Sequence, residues 1–177
     1  MSSKEPTDKC YTPRAIAIRF KEPWFRDILR CLLETLFFIK SSENIMIEEK
    51  SFQNSFTYPK IKNDPDLERA IEGYLDGVLR FDSDSIGQKK DTFSFTVRFS
   101  NGSNYEAWEC IFKPKKDLSE DDVKDSLKGV LADISEIVLG NDYIHLDEHA
   151  GMEGRSVKYE IGIEQKGFPV KKRFVIF

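Results

Sequence analysis

His145 and His149 are the chain's only two histidines, and they stand four residues apart in the run HLDEH with Asp147 and Glu148 between them. On a helix that spacing would set two imidazoles on one face, where they could hold a zinc ion while a carboxylate served as base. The order of residues argues against it. The zincin pattern needs a glutamate directly after the first histidine, and Leu146 stands there. Gly140-Asn141 before the run and Gly151 and Gly154 after it mark a loop rather than a helix. Other chemistries find less. No nucleophile elbow is present, and Gly151 and Gly154 do not carry a strand into a helix as a phosphate cradle requires. The three cysteines, Cys10, Cys31 and Cys110, form no CxxC pair. Cys31 lies inside an apolar helical pattern, which predicts a buried thiol. The expectation is a protein without catalytic residues, metal site or cofactor. A metal-dependent hydrolase using His145 and His149 is the lesser alternative.

Composition supports a binding role. The chain has 177 residues and a formal charge of −4, with 40% hydrophobic and 33% charged residues, which reads as globular rather than disordered. That length suits one domain burying roughly 70% of its unfolded surface. The acidic balance gives no electrostatic case for nucleic acid. Local basic runs at residues 89–90, 113–116 and 171–173 read as solvated edges, with a weak contact to an anionic membrane as the alternative. An odd cysteine count and no recognisable secretory leader lead to an expected reducing, cytoplasmic setting. The most apolar stretch, residues 28–39, is interrupted by Arg30 and Glu34 and is too short for a membrane span. Asn101-Gly102-Ser103 reads as a hairpin turn in preference to a glycosylation site.

These residues must be carried by elements that periodicity makes visible. Residues 14–20 alternate, with Ile16, Ile18 and Phe20 on one face of a strand. Pro23 opens a helix reaching about Lys40, whose stripe of Phe25, Ile28, Leu29, Leu32, Leu33, Leu36 and Ile39 is widened by Trp24, Phe37 and Phe38. Short strands follow at residues 45–49 and 55–58. Asp64 and Pro65 then open a helix with Leu67, Ala70, Ile71, Tyr74, Leu75, Val78 and Leu79 on its buried face. Residues 82–91 read as a polar loop, and residues 92–99 and 105–113 as a hairpin. Ser119 and Asp122 form a capping box for a third helix, with Val123, Leu127, Val130, Leu131, Ile134, Ile137 and Val138 inward and Gly140 as its stop. Two strands close the chain, near residues 157–163 and 170–177. The predicted architecture is α+β: three helices packed on a mainly antiparallel sheet with a β-hairpin, as one domain over residues 11–177 after a mobile segment 1–10.

The order strand, long helix, strands, helix, hairpin, helix, terminal strands resembles a HORMA domain. More narrowly, the chain resembles the autophagy-related protein 101 family. The likeness rests on Phe56-Thr57-Tyr58 with Leu67-Glu68-Arg69-Ala70 in the next helix, on Gln88-Lys89-Lys90, on Tyr105-Glu106-Ala107-Trp108, and on the apolar pattern of the third helix. It implies a HORMA-like, non-catalytic adaptor of autophagy initiation. Such a protein would pair with and stabilise the HORMA domain of autophagy-related protein 13, within the kinase complex that starts autophagosome formation. It would be cytoplasmic and recruited to the preautophagosomal structure, with no nucleic acid as partner and no integral membrane segment. A peptide-capturing HORMA protein of another pathway is the alternative within the same fold.

The resemblance also points to residues. The family recruits downstream factors through an exposed aromatic finger after the basic run, and the corresponding positions here are Phe93 and Phe95. The residues themselves leave a second reading open, because Phe93, Phe95, Val97 and Phe99 alternate as a half-buried strand does. Pairing in HORMA dimers uses the third helix. Lys124, Ser126, Lys128 and Ser135, which lie off its core stripe, are therefore candidate partner contacts, with a solvated face as the alternative.

Overall fold

In the computed structural model the described residues are 9–11, 15–40, 46–85, 92–101, 104–140, 158–164 and 174–176. They form a mixed α+β structure with three α-helices and mostly antiparallel strands. In chain order the elements are β1 (Lys9–Tyr11), β2 (Ala15–Phe20), α1 (Phe25–Lys40), β3 (Ile47–Phe52), β4 (Phe56–Ile61), α2 (Pro65–Ser85), β5 (Phe93–Asn101), β6 (Asn104–Pro114), α3 (Glu120–Leu139), β7 (Lys158–Glu164) and β8 (Phe174–Ile176). The chain divides into two compact units interleaved along its length. One comprises residues 1–16, 93–111 and 136–177, and the other residues 17–92 and 112–135. Three of the divisions fall inside β2, β6 and α3 rather than in linkers, so composition carries no sign of them.

The first unit is built on the sheet path β1-β6-β5-β7-β8. β5 lies antiparallel to β7, with Phe95 opposite Ile163, Val97 opposite Ile161 and Phe99 opposite Tyr159. β8 continues antiparallel on β7. Period-two alternation sends Phe95, Val97 and Phe99 of β5, and Glu106, Trp108 and Cys110 of β6, into the interior. Lys9 and Cys10, expected in a mobile segment, belong to β1, which pairs parallel with β6. A three-residue strand has no periodicity of its own to read; its ladder partner defines it.

The second unit centres on α1, which packs against β4 and α2. Pro23 sits in a 3₁₀ turn, Glu22–Trp24, that leads into α1, so the helix proper begins two residues later than the proline predicts. β3 and β4 form an antiparallel hairpin. Its turn places Gln53 and Asn54 at φ of 46° and 55°, closed by the Ser55 N–H donating to the Phe52 carbonyl at 2.9 Å. The left-handed strain at Gln53 is offset by its side-chain amide, which donates to Asp27 of α1 at 2.8 Å. Asp64 caps α2, accepting the Leu67 N–H on its side chain at 2.9 Å. α2 runs on to Ser85, through residues 82–85 expected as loop, since Asp82-Ser83-Asp84-Ser85 holds no proline or glycine to stop propagation. The capping box of α3 forms as predicted: Ser119 Oγ accepts the Asp122 N–H at 3.1 Å, and Asp122 Oδ2 accepts the Ser119 N–H at 3.0 Å. In this unit α3 turns Val123, Leu127, Val130 and Ile134 inward, while Phe20, Phe25 and Phe112 pack edge to face or tilted with centroids 5.1 to 5.7 Å apart.

Gly73 in α2 and Gly129 in α3 are exposed mid-helix positions, and a Cβ added at either meets nothing within 4 Å. Each glycine costs backbone entropy without a packing return. Gly73→Ala and Gly129→Ala are each expected to raise stability by about 0.5–1 kcal/mol, read as a higher urea midpoint at unchanged slope.

Candidate functional site

The centre of the second unit holds a cluster of charge. Glu34 lies on the buried side of α1 with 3% of its surface exposed, in a stretch that otherwise buries Cys31, Leu32, Leu33, Leu36 and Phe37. A lone carboxylate there would be prohibitive in free energy, so donors must come to it. They come from the hairpin. Lys50 of β3 and Tyr58 of β4 are cross-strand partners on its inner face. The Tyr58 hydroxyl donates to Glu34 Oε2 at 2.7 Å, and Lys50 Nζ reaches both oxygens at 3.2 and 3.3 Å. Burial, then the hydrogen bond to Glu34, pushes the Tyr58 phenol up, so it stays protonated as a donor.

On the other side Arg30, one turn before Glu34, stands 3.7 Å from it and also binds Glu72 of α2. Arg26 bridges Glu72 at 2.6 Å and Asp76 at 2.8 Å. Lys60 of β4 pairs with Glu68 of α2 and lies 3.7 Å from Glu48 of β3. One network thus joins hairpin, α1 and α2. Next to it the Cys31 thiol is pushed far up, by burial first and by Glu34 second, which makes it inert rather than nucleophilic. The Cys110 thiol, buried in the first unit, is pushed up to about 12 by burial. In that unit a second buried acid, Glu106, takes the indole N–H of Trp108, two residues on along the same face of β6.

This geometry holds elements together, since the hydroxyl, amine and guanidinium groups around Glu34 and Glu72 are each spent on an acid of another element. Among the described residues no group of three or more His, Cys, Asp or Glu is placed to hold a metal ion. His145 and His149 lie outside the described residues. From the sequence, Glu34 and Arg30 read only as interruptions of an apolar run, Tyr58 only as part of a strand motif, and Lys50 carries no signal. The available signal was an acidic residue at a position that helical spacing puts on the core side.

The interaction candidates divide. Of the two readings open at Phe95, finger or half-buried strand, the side chain takes the strand position: it is 2% exposed and faces the core with Val97 and Phe99. Strand alternation decides it: a residue two before buried Val97 on a paired strand turns to the same side. Phe93 opens β5, and its side chain lies outside the described residues. On α3, Lys124 is folded over the Trp24 ring at 5.7 Å from its centroid and stands 3.8 Å from Asp121. Ser126 is half-buried and accepts the Arg19 N–H of β2 at 3.4 Å, a contact within its own unit. Lys128 and Ser135 are exposed, the Ser135 hydroxyl donating to the Leu131 carbonyl at 3.0 Å. Of the four candidates, only these two present a solvent-facing position for a partner.

No family model and no curated protein matches this chain. Among the described residues, no helix is long and apolar enough to cross a membrane.

Lys50→Met is expected to destabilise the fold by about 1–3 kcal/mol, because Glu34 then keeps its burial and loses its nearest cation. Adding Glu34→Gln should recover part of the loss, since the amide still accepts from Tyr58; urea denaturation of the two variants measures this. Glu72 carries a pH prediction. The Arg30 hydrogen bond, opposed by burial and reinforced by the charges of Arg30 and Arg26, holds its carboxyl below the usual range. Its stabilisation is complete above the ordinary Glu value of about 4.3 and lost as pH falls through the lowered folded value. Glu72→Gln should therefore lower Tm at neutral pH, and the gap from the parent should close in acid.

Proposed function

We propose that this chain is a non-catalytic, HORMA-like adaptor of autophagy initiation that forms a heterodimer with the HORMA domain of autophagy-related protein 13. The observation that carries the reading is the element order. A strand leads into a long buried helix, a hairpin, a second helix, the paired strands β5 and β6, a third helix and two closing strands. That is the order the resemblance implies, and three of the quoted motifs lie on its elements: Phe56-Thr57-Tyr58 in β4, Leu67-Glu68-Arg69-Ala70 in α2, and Tyr105-Glu106-Ala107-Trp108 in β6; Gln88-Lys89-Lys90 lies outside the described residues. Two of those motif residues have structural duties here, Tyr58 on Glu34 and Trp108 on Glu106.

The adaptor works by mass action. By binding the folded partner and not its unfolded chain, it raises the partner's apparent stability and abundance. The outward side of α3 around Lys128 and Ser135 is the contact we assign to the partner, in the cytoplasm and at the preautophagosomal structure. Recruitment of later factors through an aromatic finger does not use Phe95, whose side chain is committed to the core.

Co-expression with the HORMA domain of autophagy-related protein 13 from the same organism, followed by light scattering on a sizing column, should give a stable one-to-one complex. Lys128→Glu should weaken it, while Lys62→Glu, on an exposed residue outside α3, should not. Separate elution of the two parent proteins at micromolar concentration would sink the reading.

A further inference from the structure

Two sets stand out among the basic side chains of the second unit. Arg26, Arg30, Lys50 and Lys60 are spent on acids of the helices and hairpin. Arg19, Lys21, Lys113, Lys115 and Lys116 are in no ion pair among the described residues. These five are neighbours. β2 pairs with β6, and the Lys115 N–H donates to the Phe20 carbonyl at 2.9 Å, which sets the end of β6 beside Arg19 and Lys21. Because Ile18, Phe20 and Phe112 point into the core, alternation turns Arg19 and Lys113 outward, and both are exposed with Lys115 and Lys116. Like charges so gathered repel one another, and the fold gains nothing from holding them together.

We propose that this face binds an anionic phospholipid surface. Arg19 and Lys113 stand on the outward side of the paired strands, Lys21 directly follows β2, and Lys115 and Lys116 directly follow β6, so the five cations gather at one end of the strand pair. The exposed residues among them are Ala17, Glu22, Pro23 and Asp117, while Ile111, on the Lys113 side of β6, and Trp24, under Lys124, are half-buried, so no fully exposed aromatic or branched apolar side chain is on offer as an anchor for a protein partner. The same lack of stacking side chains tells against single-stranded nucleic acid. A bilayer needs charge and no shape. Glu22 and Asp117 border the array, and Asp122 lies within electrostatic reach of Lys21, so the attraction is graded rather than strong. The chain's net charge of −4 matters little, since at physiological salt charges farther than about 8 Å from the contact are screened. The inference does not depend on the adaptor reading.

The test is co-sedimentation of the full chain with vesicles rich in phosphatidylserine, against vesicles of phosphatidylcholine alone. Binding to the former that weakens with added salt is expected. Neutralising K113Q/K115Q/K116Q should reduce it roughly fivefold per charge, or about 100-fold in all. K62Q/K128Q, outside the array, should leave it unchanged. Circular dichroism should show all variants folded, because every substituted lysine is exposed. Failure to bind phosphatidylserine at low salt would overturn the proposal. So would equal binding to phosphatidylcholine, or equal loss in both variant sets. Retention on a poly-glutamate column at physiological salt without vesicle binding would overturn it in favour of an acidic polypeptide.

Discussion

Glu34 imposes its needs on everything around it in the second unit. A carboxylate on the core side of α1 is tolerable only with its oxygens occupied, and the donors that occupy them sit on a hairpin 16 and 24 residues farther along the chain. An isolated two-stranded hairpin is marginal in water. Here its inner face is a sequence of matched cross-strand pairs: Glu48 with Lys60, Lys50 with Tyr58, and Phe52 stacked on Phe56 with ring centroids 5.2 Å apart. The aromatic end supplies burial, with Trp24 beside Phe52, and the polar end supplies registry. A one-residue slip of either strand would turn Lys50 or Tyr58 away from Glu34 and put Glu49 or Ser51 in place of the lysine, or Thr57 or Pro59 in place of the tyrosine, leaving a buried charge unanswered. Specificity of docking is thus written into one acid.

Much of this fold was legible because periodicity and capping are local. The stripes of α1 and α3, the Asp64 cap and the Ser119-Asp122 box each involve residues within a few positions, and one-dimensional spacing is enough to find them. Alternation at Phe93 to Phe99 was equally visible, but it was compatible with two readings, since spacing says which residues share a face and not whether that face is covered. Burial of Phe95, Val97 and Phe99, opposite β7 in register, is a fact about partners 60 or more residues apart in the chain. The division of the chain into two units was invisible for a related reason: its boundaries run through β2, β6 and α3, where hydrophobic pattern continues unbroken.

What remained illegible was the fate of polar groups. Arg30 and Glu34 read from the sequence as breaks in an apolar run, sufficient to exclude a membrane span and otherwise uninformative. Their actual role is fixed by Lys50, Tyr58 and Glu72, none of them nearby in the chain. Lys124 and Ser126 show the same limit from the other direction. Helical phase puts both off the core stripe of α3, which suggested an outward face; tertiary neighbours at Trp24 and Arg19 use them internally. A helix has more than one contact-bearing side, and phase identifies only the most apolar.

The two populations of cations follow from one principle. Where a basic side chain meets low-dielectric surroundings, an acid must accompany it, and the second unit supplies Glu34, Glu68, Glu72 and Asp76 for that purpose. Where the backbone ladder of β2 and β6 is exposed on one side, water screens each lysine and no partner is required for folding. Selection for stability therefore constrains the first group strongly and the second hardly at all. Residues free of structural duty can still cluster by chance, but a cluster of five at one end of the β2–β6 pair raises the local potential and persists at some cost in repulsion. That asymmetry separates the two sets experimentally: loss of a paired cation is read in folding free energy, loss of an unpaired one only in what the surface attracts.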